Sequence, residues 1–133
     1  MTRTVRALAT TFLLTASLVA CGGSDTAIIE TVDAPTASDL IGETGTVLLD
    51  IRTSEEFAEA RIDGAINIDF YADDFADQIG ELDRETAYVV YCRSDNRSGQ
   101  AMSLFRDLEF LEVHEIDGGI VSWIENGLPT VSG

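Results

Sequence analysis

Tyr88-Val89-Val90-Tyr91-Cys92-Arg93-Ser94-Asp95-Asn96-Arg97-Ser98 holds a strand, a loop and a helix start in one stretch. Tyr88 to Tyr91 is apolar at every position rather than at alternate ones. That pattern belongs to a strand buried on both faces, as in a parallel sheet. The polar run from Arg93 to Asn96 ends it. From Ser98 to Leu108 the apolar residues Ala101, Leu104, Phe105 and Leu108 fall on one helical face.

Working outward, the same alternation repeats. Ala27 to Val32, Val47 to Ile51 and Glu112 to Ile116 read as further strands. Thr36 to Ile41 reads as a short helical turn with Ser38 or Thr36 as its cap. Thr53 to Ala60 opens with a capping hydroxyl and an acidic first turn. Ala72 to Leu82 puts Phe75, Ile79 and Leu82 on one face, and Ile120 to Asn126 forms a last helix stopped by Gly127 and Pro129. Strand and helix alternate, so the expected fold class is α/β, with a mainly parallel central sheet flanked by helices. A length of 133 residues fits one domain, read here as residues 27–131.

The start of the chain reads as an address. Arg3 and Arg6 precede an uncharged stretch from Ala7 to Val19, and Leu18-Val19-Ala20-Cys21 is followed by Gly22-Gly23-Ser24. A cationic start, a short apolar run and small residues at a cut define an export signal, here residues 1–20. The Leu-Val-Ala-Cys tetrapeptide resembles a bacterial lipobox. That resemblance implies cleavage before Cys21, a lipid on its sulfur, and residues 21–26 as a tether. The expected location is the outer face of a bacterial membrane, cell membrane or outer membrane.

The net charge is −16, and the chain has no lysine. Such a surface repels nucleic acid, which is excluded as a partner. Cys21 and Cys92 are the two cysteines. With Cys21 acylated, Cys92 keeps a free thiol in an exported protein, which marks it as reactive.

The position of Cys92 explains what it would react with. Ligands of open α/β sheets sit beyond the carboxyl ends of strands. A short loop before a helix can gather successive backbone N–H groups into an anion-binding nest, and the helix N-terminus adds partial positive charge. Arg93 and Arg97 flank the nest. Together these favour the thiolate, stabilise a bound persulfide and attract an anionic donor.

The stretch from Tyr91 to Ser98 resembles the active-site loop of the rhodanese family. Two other segments agree in order and spacing. Leu49-Asp50-Ile51-Arg52, with Glu56-Phe57 and Gly64-Ala65-Ile66-Asn67-Ile68, resembles the family's N-terminal signature. Gly118-Gly119-Ile120-Val121-Ser122-Trp123, with Gly127-Leu128-Pro129, resembles its C-terminal one. The resemblance implies Cys92 as the nucleophile that carries sulfane sulfur as a persulfide. It implies Arg93, Ser94, Asp95, Asn96 and Arg97 as the substrate-binding loop, thiosulfate or a persulfide as donor, and cyanide or a thiol as acceptor. No metal and no cofactor are expected. The loop counts six residues from Cys92 to Arg97, the family's length for sulfur transfer. Related phosphatases and arsenate reductases have one residue more.

Two departures stand out. The family often has glycine where this chain has Asp95, and histidine where it has Arg61. A non-catalytic anion-binding, sensor or docking module at the membrane is the alternative. Thiol redox chemistry is a weaker one, since no resolving cysteine is present. Asp50 with Arg52 reads as a structural ion pair, Glu55 and Glu56 as servants of a helix N-terminus, and Trp123 and Phe105 as core. His114 reads as solvent-facing or as hydrogen-bonded structure, and Gly118 and Gly119 as turn residues.

Overall fold

A computed structural model describes residues 26–133. The export signal expected at 1–20 and the lipidation expected at Cys21 lie outside the described residues.

Five strands form one sheet: β1 (Ile28–Val32), β2 (Val47–Asp50), β3 (Ile66–Asn67), β4 (Ala87–Tyr91) and β5 (Glu112–Ile116). Their order across the sheet is β1-β5-β4-β2-β3, and every pairing is parallel. The central strand, β4, buries both faces, as its unbroken apolar run requires. Tyr88, Val90 and Cys92 join one core with Ala101, Met102 and Phe105 of α4 (Asn96–Asp107) and with Phe75 and Ile79 of α3 (Phe75–Gly80). Val89 and Tyr91 join the opposite core with Ala34 and Ala37 of α1 (Ala34–Ile41) and with Ile120 and Trp123 of α5 (Gly119–Glu125). The α/β architecture with a central parallel sheet flanked by helices is therefore as expected. A fifth helix, α2 (Ser54–Glu59), follows β2 and has no buried residue.

Several boundaries differ from the sequence reading. Helix α1 starts two residues earlier than expected, and its cap is neither Thr36 nor Ser38. Asp33 Oδ1 accepts the Thr36 N–H at 2.9 Å. Pro35 fits the first turn because an N–H there needs no partner. Helix α3 is shorter than Ala72–Leu82, since residues 71–74 form a turn ahead of it. The two-residue strand β3 was not foreseen, being too short to show a period. Helix α4 begins at Asn96, so Asn96 and Arg97 belong to its first turn rather than to the preceding loop.

The chain leaves β2 for β3 on one side and leaves β4 for β5 on the other. Adjacent strands whose exits diverge open a crevice at their carboxyl ends. The turn after β2 is fixed there by a buried pair. Arg52 Nε and Nη2 donate to the fully buried Asp50 carboxylate, and Nη2 also reaches the Ala60 carbonyl at 2.6 Å. Asn67 Nδ2 donates to the carbonyls of Asp50 and Arg52, each at 2.9 Å. Asp50 is thus scaffold for the crevice, and Arg52 both braces it and lines a neighbouring pocket of about 250 Å³ with Glu56 and Arg93. Trp123, Phe105 and His114 are buried, with the His114 ring hydrogen-bonded to Glu112 at 3.0 Å.

Candidate active site

Cys92 follows the last residue of β4 and sits at the floor of a cleft of about 350 Å³. The loop contributes Arg93 and Ser94 to its lining, and the first turn of α4 contributes Asn96 and Arg97. Thr53 and Glu56, at the start of α2, and Tyr71 close the other side. The two loops that frame the crevice thus meet across one cleft. Of the loop residues named from sequence, Asp95 is the one that does not line it.

The backbone of the loop is held from behind. The Ile120 N–H donates to the Cys92 carbonyl at 3.0 Å, and the Val121 N–H donates to the Arg93 carbonyl at 3.3 Å. These are orphan donors of the first turn of α5. The peptides are trans, so each N–H points opposite to the carbonyl of the same plane. Pinning the carbonyls of Cys92 and Arg93 toward α5 therefore turns the N–H groups of Arg93 and Ser94 away from it. Among the described residues, no main-chain carbonyl accepts from the N–H groups of residues 93 to 98.

Gly119 makes that close approach possible. A Cβ at this position would lie 2.4 Å from the Cys92 carbonyl oxygen and 2.6 Å from that of Arg93, and its φ is +57°. Gly119 was read as a turn residue; it is also the contact that seats the loop.

Asp95 has φ +73°, the left-handed conformation that glycine adopts freely and aspartate tolerates. It stands at the N-cap of α4 without a capping hydrogen bond, and its covered Oδ1 has no hydrogen-bond partner among the described residues.

The two arginines differ. Arg97 is buried and spends its charge on Glu56, with Nη1 to Oε2 at 2.6 Å and Nη2 to Oε1 at 2.9 Å. Its guanidinium also lies 5.6 Å from the centre of the Tyr71 ring. Glu56 serves the N-terminus of α2, as expected, by accepting from Thr53 N–H at 3.0 Å. Its pairing with Arg97 across 41 residues was not expected. The hydrogen bond from Arg97 is the main force holding its carboxyl down at about 2. Arg93 is exposed and makes no salt bridge among the described residues, so it is the cation that faces the cleft uncompensated.

Ser98, the last residue of the quoted loop segment, and Glu115 carry no individual role in the sequence reading. The Cys92 Sγ lies 3.3 Å from Ser98 Oγ, Ser98 Oγ donates to Glu115 Oε1 at 2.6 Å, and Thr31 Oγ1 donates to Glu115 Oε2 at 3.1 Å. Ser98 stands next to the loop, but nothing in the sequence links β5 and β1 to it before the sheet order is known.

Residues 33–126 match the family described as the rhodanese-like domain. The chain belongs to this family. Among relatives of this rhodanese-like protein is a sulfurtransferase of Allochromatium vinosum, 31% identical over 106 residues, covering 79% of this chain and 97% of that protein. Thiosulfate sulfurtransferase GlpE of Pseudomonas aeruginosa is 33% identical over 90 residues, covering 68% of this chain and 80% of that protein. The crystal structure of a rhodanese-related protein from Thermoplasma volcanium superposes with a TM-score of 0.68 at 30% identity, over 77% of this chain and 97% of that one.

Two outcomes follow for this rhodanese-like site. Gly119→Ala places a methyl group against the Cys92 carbonyl at a positive φ. Urea denaturation is expected to show a loss of about 3 kcal/mol, together with loss of whatever reactivity Cys92 has. The Glu56–Arg97 pair gives an acid-side signature. The folded value of Glu56 lies below its ordinary 4.5, so its stabilisation is full above that pH and disappears as pH falls through about 2. Thermal midpoints across that window should fall less steeply for Glu56→Gln than for the wild type.

Proposed function

We propose that this protein is a sulfurtransferase that carries sulfane sulfur as a persulfide on Cys92. The observation that carries the reading is the sulfur at the cleft floor, ahead of a loop whose carbonyls are tied back and whose N–H groups are left for a ligand. In the first step the Cys92 thiolate attacks the outer sulfur of thiosulfate. A new S–S bond forms, the old one breaks, and its electron pair leaves with sulfite. In the second, cyanide or a thiolate attacks the outer sulfur, the S–S bond breaks, and the thiolate returns. Each half-reaction conserves charge and needs no external oxidant, which is the two-step logic of covalent catalysis. The N–H groups of residues 93 to 97 hold the anionic outer sulfur, Arg93 draws in the donor, and Arg97 locks the loop to α2 through Glu56.

The assay is thiocyanate formation from thiosulfate and cyanide. Wild-type protein should turn over, and Cys92→Ser should fall to the uncatalysed background. Equal rates in the two would remove Cys92 from the chemistry. One observation favours a second reading, a non-catalytic anion-binding, sensor or docking module. Glu56 neutralises Arg97 and Asp95 adds a carboxylate beside the loop, so a small dianion meets little net positive charge. That reading requires no thiocyanate from either protein.

We further propose that the domain is exported and tethered to a bacterial membrane through a lipid on Cys21, with residues 21–26 as spacer. The support is the Leu18-Val19-Ala20-Cys21 sequence behind a cationic, apolar leader. More than one acyl chain gives firm attachment. Expressed in a bacterium, the chain should fractionate with membranes and yield a diacylated Cys21 peptide by mass spectrometry. A soluble chain with an unmodified Cys21 would contradict this.

A further inference from the structure

The buried chain from Cys92 through Ser98 to Glu115 raises a question of proton direction. Cys92, Ser98 and Glu115 are 1%, 0% and 5% exposed, so water does not compete for these contacts. Ser98 has one hydroxyl hydrogen. While it donates to Glu115 at 2.6 Å, it can only accept from Cys92, and the sulfur must then be a thiol. A negatively charged sulfur can only accept. Ser98 must then turn its hydrogen to the sulfur, and its short contact to Glu115 survives only if Glu115 carries a proton.

The surroundings leave Glu115 free for this. Thr31 on β1 donates to its other oxygen, and a Cβ at Gly99 on α4 would lie 3.7 Å from the first. Among the described residues it makes no salt bridge. Arg97, beside Ser98 on α4, is turned to Glu56. Glu30 and His114, the strand neighbours of Thr31 and Glu115, point to the opposite face of the sheet. The titratable group that reaches Glu115 through a hydrogen-bonded chain is Cys92.

We propose that Glu115 is a positioning residue for sulfur loading, receiving through Ser98 the proton that Cys92 releases and holding it while Cys92 carries sulfur. This rests on the transferase reading above. The Cys92 S–H bond breaks and its proton passes to Ser98 Oγ, as the Ser98 proton passes to Glu115 Oε1. One carboxylate charge is exchanged for one thiolate charge, and no electron changes hands. When an acceptor removes the outer sulfur, the relay can run back. Ser98 touches the reacting sulfur; Glu115 acts through it, and Thr31 fixes the carboxylate in place.

The test uses Glu115→Gln, Ser98→Ala and Ser98→Thr. Alkylation of reduced Cys92 by iodoacetamide is followed against pH. A glutamine removes the competing negative charge, so alkylation at acidic pH should rise about tenfold. Infrared difference spectra on loading with thiosulfate should show a new carboxylic-acid C=O band in wild type and Ser98→Thr, but not in Ser98→Ala or Glu115→Gln. An alkylation profile for Glu115→Gln that superimposes on wild type, or a loading spectrum unchanged by Ser98→Ala, overturns the proposal. If Glu115→Gln does not fold, the two Ser98 variants decide it. Alkylation needs no sulfur donor. A shifted profile without thiocyanate would therefore reject the transferase reading and keep the relay, and normal thiocyanate output with an unshifted profile would do the reverse.

Discussion

The site depends on two carbonyl groups being held from behind. The first turn of α5 takes the carbonyls of Cys92 and Arg93, and only a residue without a Cβ at position 119 lets the two backbones come so close. Planar trans peptides then leave the following N–H groups facing away from α5. The loop's shape is thus imposed from a helix more than two dozen residues downstream. The sheet makes this possible by placing β5, which feeds α5, beside β4, which feeds the loop.

Charge is arranged with similar economy. In a chain with net charge −16, an anion needs a local exception. Arg97 does not supply it, because Glu56 takes both of its forks. That bidentate pair is geometric glue, joining α2 to α4 across the cleft. The positive potential therefore comes from exposed Arg93 and from the unpaired N–H groups of the loop and helix start, which are dipoles rather than charges. Asp95 works against them while occupying the left-handed position that the turn into α4 requires.

Much of this was legible in the residues. The unbroken apolar run of β4 showed a buried parallel strand, and the cysteine at its end marked the residue that the structure places in the cleft. The Asp50–Arg52 pair and the capping Thr53 were readable because their partners lie close in sequence. Other features depend on long-range placement. Glu56 meets Arg97, Ser98 meets Glu115 and Glu115 meets Thr31 only after the strands take their order, and no local period encodes that. Helix α1 starts two residues ahead of its expected position because Asp33, and neither Thr36 nor Ser38, supplies the cap. The expected export signal and Cys21 lie outside the described residues, and the proposed membrane tether is read from sequence.

The central claim is that sulfur becomes covalently attached to Cys92 and leaves again. Intact-protein mass spectrometry after a single exposure to thiosulfate measures this most directly, with peptide mapping to locate the adduct. The account predicts a mass gain of one sulfur atom on Cys92, discharged by cyanide with one thiocyanate released per chain. A protein that binds thiosulfate yet gains no mass, or gains it at a residue other than Cys92, would contradict it.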